Sequence, residues 1–289
     1  MFHGSYVALV TPFRNGQVDY QKLGELVEFH VKNGTQGIVP CGTTGESATL
    51  SFEEHEKIIG EVVSIVAGRI RVLAGAGSNN TTEALRLAKH AKKIGADGAL
   101  LITPYYNKPT PEGLYRHYKL IAESVDIPIV MYNVPSRTGI SIQPETVARL
   151  SEIKNIVGIK EASGSIDQAT QILQLCNITV LSGDDSLTLP IMSVGGRGVI
   201  SVVANVVPAD TAALTRNCLE GNFDVARKCH FKLFPLCKSM FIETNPIPVK
   251  TAMRMLGRLN GEMRLPLCDM TKEHESQLMG TLKNYGLIS

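Results

Sequence analysis

Short apolar runs alternate along the chain with longer segments in which apolar residues recur at helical spacing. Most of the runs are continuously apolar, which is typical of strands buried on both faces of a parallel sheet. Their starts lie about 20–34 residues apart, the length of one strand-plus-helix unit. The pattern predicts eight strands, at residues 6–10, 37–40, 71–75, 98–102, 128–132, 156–160, 178–182 and 198–202.

The segments between these runs are typical of amphipathic helices with well-marked ends. Residues 19–33 place apolar side chains on one face, and a glycine follows as a stop signal. Ser51 precedes the segment 52–66, and Glu54 comes three residues later, which is the pattern of a capping box. Residues 82–94 also carry apolar side chains at helical spacing and end before a glycine.

Eight strand-plus-helix units favour an α/β fold of the (β/α)8 TIM barrel class. An open doubly wound sheet is the alternative, because periodicity does not show whether a sheet closes. No GxGxxG turn follows the first strand, which argues against a dinucleotide-binding fold. The chain beyond the eighth strand predicts more helices, at 224–239, 248–256 and 272–285. We therefore expect a catalytic barrel over residues 1–223 and a helical extension over 224–289 packed on it.

Composition and charge narrow the class of function. A formal net charge of +2 over 289 residues gives no basic footprint for nucleic acid. No apolar run approaches the roughly 20 residues of a membrane span, and the start of the chain lacks the features of a signal peptide. The 6 cysteines form no CxxC pair, which is typical of reduced thiols in a cytoplasmic protein. We expect neither nucleic acid nor membrane as a partner.

The sequence contains no familiar metal or nucleotide motif. Its 7 histidines are scattered and form no HExxH pair. Asp184 and Asp185 follow the seventh strand, but aspartates at such a place usually cap the next helix. No GxxxxGK[ST] loop is present, so nucleotide phosphate chemistry is not indicated. We expect no metal site.

Polar residues gather after the predicted strands, where barrel enzymes place their active sites. Lys160 ends the sixth strand behind an apolar run, which places it at the mouth of the barrel between apolar walls. Loss of hydration there favours the neutral amine, which can form an imine with a ketone. The alternative is a lysine that reaches solvent or pairs with Glu161. Tyr132 ends the neighbouring strand and could pass protons to such an imine, unless it only fills the barrel.

Two further features suit the binding of carboxylates. The turn at residues 42–46 has glycines on both sides of Thr43 and Thr44, so backbone N–H groups can point inward beside two hydroxyls. Arg137, after the fifth strand, carries a guanidinium suited to a second carboxylate at the entrance. The alternatives are a turn that only links a strand to a helix and an arginine on the surface. Cys41, beside the turn, is more typical of a small core residue than of a reactive thiol.

Five motifs occur in order along nearly the whole chain: GTTGE at 42–46, TPYY at 103–106, YNVPSRTG at 132–139, IKEA at 159–162 and NPIPVK at 245–250. Together they resemble the 4-hydroxy-tetrahydrodipicolinate synthase family, also called the dihydrodipicolinate synthases. The resemblance implies a lyase that condenses pyruvate with L-aspartate 4-semialdehyde, early in lysine and diaminopimelate biosynthesis. It implies no cofactor, because the lysine imine is itself the electron sink.

The resemblance also implies roles for catalytic residues. Lys160 forms the imine with pyruvate, and Tyr132 relays protons, linked through Thr43 to Tyr106. Tyr106 comes from the neighbouring subunit in this family, so the resemblance implies at least a dimer and suggests a homotetramer built as a dimer of dimers.

Roles in substrate binding follow from the same resemblance. Thr44 and the backbone of Thr43 hold the pyruvate carboxylate, and Arg137 holds the carboxylate of the semialdehyde. Gly183 and Ile200 line the pyruvate pocket through backbone groups.

Many members of the family bind L-lysine as a feedback inhibitor at a subunit interface. The matching positions in this chain are Ser47, Ala48, His55, Asn79, Glu83 and Tyr105. Phe52 stands where some inhibited members have histidine, so we expect weak to moderate inhibition. The alternative is that His55 and Glu83 are only exposed helix residues.

Two other functions stay open at this point. N-acetylneuraminate lyase shares the lysine and the tyrosine, but its sugar acceptor would favour hydroxyl partners over the cation of Arg137. The double threonine at 43–44 also favours the synthase. A non-catalytic barrel that serves as a binding protein would be supported by loss of Lys160, Tyr132 or Thr43, and all three are present.

Overall fold

Eight parallel strands close into a barrel in the computed structural model, which describes residues 1–289. The chain has ten strands, of which all but β2 and β3 belong to the barrel. In chain order they are β1 Gly4–Ala8, β2 Phe13–Arg14, β3 Gln17–Val18, β4 Gly37–Val39, β5 Arg71–Gly75, β6 Gly98–Ile102, β7 Ile129–Asn133, β8 Ile156–Glu161, β9 Thr179–Ser182 and β10 Gly198–Ser201. β1 closes the barrel because Tyr6 lies opposite Gly37 of β4 on one side and opposite Ile200 of β10 on the other. The closure confirms the predicted (β/α)8 class and excludes the open sheet.

The first barrel strand differs most from its predicted bounds. It was predicted at residues 6–10, but β1 ends at Ala8. Leu9 and Val10 are as buried as the strand, yet the Val10 N–H donates to Asn205 Oδ1 (3.2 Å) and not to a neighbouring strand. The other barrel strands match their predicted bounds within one residue.

A short antiparallel hairpin of β2 and β3 precedes the first helix and was not predicted. Its turn, Asn15-Gly16, has positive φ at both residues, as a two-residue hairpin turn requires. The Asn-Gly signal was therefore present, but each strand is only two residues long and shows no alternation to accompany it.

Helices cover the barrel and extend beyond it. In chain order they are α1 Tyr20–Lys32, α2 Phe52–Val66, α3 Thr81–Lys93, α4 Pro111–Ser124, α5 Pro135–Thr138, α6 Pro144–Ser151, α7 Ile166–Leu175, α8 Thr188–Ser193, α9 Pro208–Leu219, α10 Phe223–Ser239, α11 Ile247–Met255 and α12 Lys272–Tyr285. The capping box predicted for α2 is present: Ser51 Oγ accepts from the Glu54 N–H (3.2 Å), and Glu54 Oε2 accepts from the Ser51 N–H (3.0 Å). None of these helices combines the length and the apolar character that a membrane-spanning segment needs.

The barrel interior is filled by apolar side chains, so the barrel is a core and not a pore. Tyr6, Leu73, Val130 and Leu181 belong to this inner cluster. Gly37 leaves room for the largest of them, because a Cβ there would lie 2.0 Å from Tyr6 Cε1. No channel therefore runs through the barrel below the carboxyl ends of its strands.

The helices α10 to α12 pack on the barrel layer. Leu233, Leu278 and Leu282 from these helices are buried in the same apolar cluster that joins the barrel strands to their surrounding helices. The division into residues 1–223 and 224–289 stays a prediction.

Candidate active site

Lys160 and Tyr132 lie side by side at the carboxyl end of the barrel. They are directly opposite each other in the register of β7 and β8. The Lys160 Nζ lies 4.3 Å from the centre of the Tyr132 ring, and the two residues are only 6% and 7% exposed. The lysine amine forms no ion pair or hydrogen bond with another residue and faces a cavity. It is therefore a buried amine without a partner in the protein.

Glu161 does not pair with Lys160. Successive side chains of a strand point to opposite faces, and Glu161 points away from the barrel interior. Its carboxylate accepts from Asn133 Nδ2 (3.0 Å), Gln168 Nε2 (3.2 Å) and the Ser163 N–H (2.7 Å). These contacts tie β8 to β7 and α7, which fixes the strand that carries the lysine.

Gly183 makes room for the Lys160 side chain. A Cβ at this position would lie 2.9 Å from Lys160 Cε and 2.6 Å from Ala162 Cβ. The Gly183 N–H donates to the Glu161 carbonyl (2.7 Å), so the backbone cannot easily move away. Any larger residue would push the amine out of its present place.

The turn at residues 42–46 brings two threonines to the same mouth. Thr44 is buried, and its Oγ1 accepts from Asn245 Nδ2 (3.0 Å). Burial raises the pKa of the neighbouring Cys41 thiol far above its ordinary value, so this cysteine is a core residue and not a nucleophile. Glu46 closes the turn with a positive φ of 55°.

A buried ion pair that the sequence did not reveal anchors this turn. Lys250 Nζ lies 2.5 Å from Glu46 Oε1 and donates to the Thr11 carbonyl (2.8 Å), and both side chains of the pair have no exposed surface. The other Glu46 oxygen accepts from the Arg264 N–H (3.1 Å). Burial lowers the pKa of Lys250, and the nearby Glu46 charge opposes that shift. The pair joins the turn to α11, on the helical extension.

Six of the eight predicted catalytic and substrate-binding residues surround one cavity of about 290 Å³ at the mouth of the barrel. Its lining includes the predicted residues Thr43, Thr44, Tyr132, Arg137, Lys160 and Gly183. The helical extension closes one side with residues that the sequence did not point to, namely Cys237, Lys238, Phe241 and Asn245. The guanidinium of Arg137 reaches across to this side, where Nη2 donates to the Asn245 carbonyl (2.9 Å).

Two predicted site residues do not line this cavity. Ile200 is fully buried in the inner cluster of the barrel, and Val202 lines the cavity instead. Tyr106 is 90% exposed and has a positive φ of 70° in the loop after β6. Its side chain projects from the surface of the chain and does not reach the cavity that Lys160 lines.

A second cavity, of about 440 Å³, lies beside the first. It is lined by five of the predicted inhibitor positions: Ser47, Ala48, His55, Glu83 and Tyr105. The sixth, Asn79, does not line it, because Asn79 Nδ2 donates to the Tyr105 carbonyl (3.1 Å) and so holds two loops together. Thr43, Arg137 and Asn245 line both cavities and form the wall between them.

Charge and hydrogen-bonding groups give the second cavity a polar side. Burial lowers the pKa of His55 to about 4, and its Nδ1 has no hydrogen-bond partner. Glu83 accepts from Ser78 Oγ (2.8 Å) and keeps its second oxygen available. His55 is therefore a buried residue of the cavity wall and not an exposed helix residue.

Comparison of the sequence with known proteins finds similarity to one enzyme family over nearly the whole chain. A family model described as the dihydrodipicolinate synthetase family matches residues 1–285. The 4-hydroxy-tetrahydrodipicolinate synthase of Syntrophus aciditrophicus (strain SB) is 56% identical over 290 residues, covering 100% of both chains.

Solved structures agree over the whole barrel and its extension. The dihydrodipicolinate synthase from Acinetobacter baumannii complexed with pyruvate has a TM-score of 0.98 at 44% identity, covering 100% of both chains. The enzyme from Cyanidioschyzon merolae with lysine bound has a TM-score of 0.96 at 41% identity, covering 99% of both chains.

Proposed function

The chain belongs to the dihydrodipicolinate synthetase family, and we propose that Lys160 is the amine through which it acts. It is a lyase that condenses pyruvate with L-aspartate 4-semialdehyde to give 4-hydroxy-tetrahydrodipicolinate, in lysine and diaminopimelate biosynthesis. The observation that carries the proposal is the amine of Lys160, which has no partner and faces a cavity of about 290 Å³ beside Tyr132. A buried amine of this kind is a suitable nucleophile.

The lysine amine would attack the ketone carbon of pyruvate and lose water to form an imine. Loss of a proton from the pyruvyl methyl group then gives an enamine, with the imine nitrogen taking the electron pair. The enamine carbon attacks the aldehyde carbon of the second substrate. Finally, the amine of that substrate displaces Lys160 and closes the ring, which returns the free enzyme. The imine is the electron sink when the methyl proton leaves, and the enamine that results is the electron source for the attack on the aldehyde.

Proton transfers in this sequence need a group beside the lysine. Tyr132 lies beside it, with the centre of its ring 4.3 Å from Nζ, and Thr43 lines the same cavity. We propose that Tyr132 moves the protons and that Thr43 connects it to Tyr106 of a neighbouring subunit. The exposure of Tyr106, at 90%, supports this sharing, because the side chain reaches outward from its own subunit. We propose a homotetramer made of two such dimers.

Shared sites can be tested by mixing inactive subunits. Tyr106→Phe and Lys160→Ala chains should each be impaired alone, and a mixture should recover activity because one site of a mixed dimer receives both wild-type residues. The two chains are given different tags, so that subunit exchange is measured in the same sample. Confirmed exchange without recovered activity would count against shared sites.

The substrate carboxylates have different partners in the proposal. Thr44 and the backbone N–H of Thr43 would bind the pyruvate carboxylate, with Gly183 bordering the same pocket. Arg137 would bind the carboxylate of the semialdehyde at the entrance, where an exposed guanidinium can offer a bidentate contact. With its carboxylate on Arg137, the semialdehyde would place its aldehyde carbon between Arg137 and the pyruvate site, near Lys160.

Initial rates with both substrates test the proposed role of Lys160. Lys160→Ala should lower kcat/KM by on the order of 10³-fold or more, because covalent catalysis is lost. The exposed lysine variant Lys154→Ala is the matched control and should keep its rate. Retained activity in Lys160→Ala would contradict the proposal. Faster turnover with pyruvate and N-acetylmannosamine than with the semialdehyde would favour the sugar lyase.

We also propose L-lysine as a weak to moderate inhibitor that binds in the cavity of about 440 Å³. Glu83 suits the ammonium groups of the ligand, and His55 adds a hydrogen-bonding group in the same wall. Millimolar L-lysine should slow turnover and raise the melting temperature, and Glu83→Gln should weaken both effects. If neither turnover nor melting temperature responds in the wild-type protein, the cavity does not serve this purpose.

A further inference from the structure

Asn245 is the one residue that is hydrogen-bonded to both proposed carboxylate-binding side chains. It lies between α10 and α11, is 5% exposed and lines both cavities. Its Nδ2 donates to Thr44 Oγ1 (3.0 Å), and its backbone carbonyl accepts from Arg137 Nη2 (2.9 Å). The two contacts use different parts of the residue, so a change of the side chain affects only the first.

We propose that the Asn245 side chain is a positioning residue that aims the Thr44 hydroxyl at the pyruvate carboxylate. This inference rests on the proposed function of the cavity. A threonine hydroxyl has one hydrogen to donate and can accept on its lone pairs. The Asn245 amide occupies an accepting position of Thr44, and no residue of the chain accepts the hydroxyl hydrogen. That hydrogen is therefore directed away from Asn245 and left for an anion in the cavity.

A purely structural role does not explain the Asn245 side chain. Its Oδ1 is buried and has no hydrogen-bond partner. A buried polar atom without a partner is destabilising, so the amide weakens the fold on that side. The hydrogen bond to Thr44 is the only one that the side chain makes. We therefore look for the role of this side chain in its effect on the Thr44 hydroxyl.

Steady-state kinetics with each substrate varied in turn test the inference. Asn245→Ala should raise the pyruvate KM by about tenfold, the order expected when a hydrogen bond to a charged group is weakened. The semialdehyde KM should not change, because the backbone contact with Arg137 remains. The melting temperature should stay the same or rise. Asn222→Ala, at an exposed position, is the matched control and should change neither KM.

Two more variants separate an effect through Thr44 from other effects. Thr44→Val removes the hydroxyl, and adding Asn245→Ala to it should not raise the pyruvate KM further, since the two residues act as one unit. Asn245→Asp has only acceptors and would take the Thr44 hydrogen for itself, so it should be worse than Asn245→Ala for pyruvate. A pyruvate KM unchanged in Asn245→Ala, or additive effects in the double variant, would overturn the inference. So would equal rises in both KM values with a lower melting temperature.

Trapping of the imine with borohydride keeps this test independent of the proposed function. The adduct on Lys160 is measured by mass spectrometry as pyruvate is increased. Asn245→Ala should need about tenfold more pyruvate than wild type for half-maximal trapping. Identical pyruvate dependence in the two proteins would overturn the role of Asn245 alone. Absence of any adduct in the wild-type protein would overturn the proposed function, and this inference with it.

Discussion

The buried pair of Glu46 and Lys250 makes the sharpest prediction about stability. Lys250→Met keeps a long apolar side chain but removes the cation 2.5 Å from Glu46, at a place where neither side chain has exposed surface. Breaking a fully buried pair from one side costs about 3–5 kcal/mol, because the remaining charge stays buried. At roughly 2–4 °C per kcal/mol for a chain of this size, the melting temperature should fall by about 6–20 °C.

The substitution should also impair pyruvate binding. The pair holds the turn at residues 42–46 against α11, and this turn carries Thr43 and Thr44. We therefore expect a higher pyruvate KM at temperatures where Lys250→Met is still folded. Thermal and urea unfolding at one subunit concentration measure the stability, and initial rates measure the KM.

Two further variants make the reasoning refutable. Glu46→Gln combined with Lys250→Met removes both charges and should recover much of the stability that Lys250→Met loses. The changes in unfolding free energy of the two single variants should therefore be clearly non-additive. Arg227→Met breaks the exposed pair with Asp224 and should change stability by less than about 1 kcal/mol. An unchanged melting temperature in Lys250→Met would contradict the account. A double variant that loses the sum of both single losses would also contradict it.

Three other substitutions test separate parts of the structure. Gly183→Ala should lower kcat by about tenfold or more, because its Cβ would lie 2.9 Å from Lys160 Cε, and a rate within about twofold of wild type would show that the lysine has more room than we infer. Burial lowers the pKa of His30 to about 3, so between about pH 6.5 and that value the unfolded chain holds more protons and stability falls as the pH falls. His30→Gln should therefore reduce the slope of unfolding free energy against pH by about 1.4 kcal/mol per unit between about pH 6 and pH 4, and an unchanged slope would contradict the assignment. Ser51→Ala should cost about 1 kcal/mol in urea unfolding by removing the cap of α2, whereas no loss would mean that the box contributes nothing.

Local patterns in the sequence were enough to predict the barrel and the neighbouring positions of Lys160 and Tyr132. Apolar runs predicted the strands, and the capping signal predicted the start of α2 at the correct residue. Lys160 and Tyr132 could be placed together because neighbouring parallel strands end at the same edge of a sheet. Each of these predictions depends on residues close in sequence or on one repeated unit.

Contacts between distant parts of the chain could not be predicted in this way. Glu46 and Lys250 are 204 positions apart, and neither residue carries a local mark of the pair. Asn245 stands in a motif that supported the family resemblance, but its contact with Thr44 exists only after the helical extension has packed on the barrel. The same limit explains the errors at Ile200 and Asn79. Both were expected to line a cavity, but the residues that surround them in the folded chain keep them out of it.

Reduction with borohydride in the presence of pyruvate tests the central claim most directly. Peptide mapping by mass spectrometry should find a reduced pyruvyl group on Lys160, whose amine is unpaired in its cavity. Lys250 is an internal control, since it is also buried but its amine is held by Glu46. The account predicts an adduct on Lys160 and none on Lys250. A folded sample with no adduct, or with the adduct on another lysine, would contradict it.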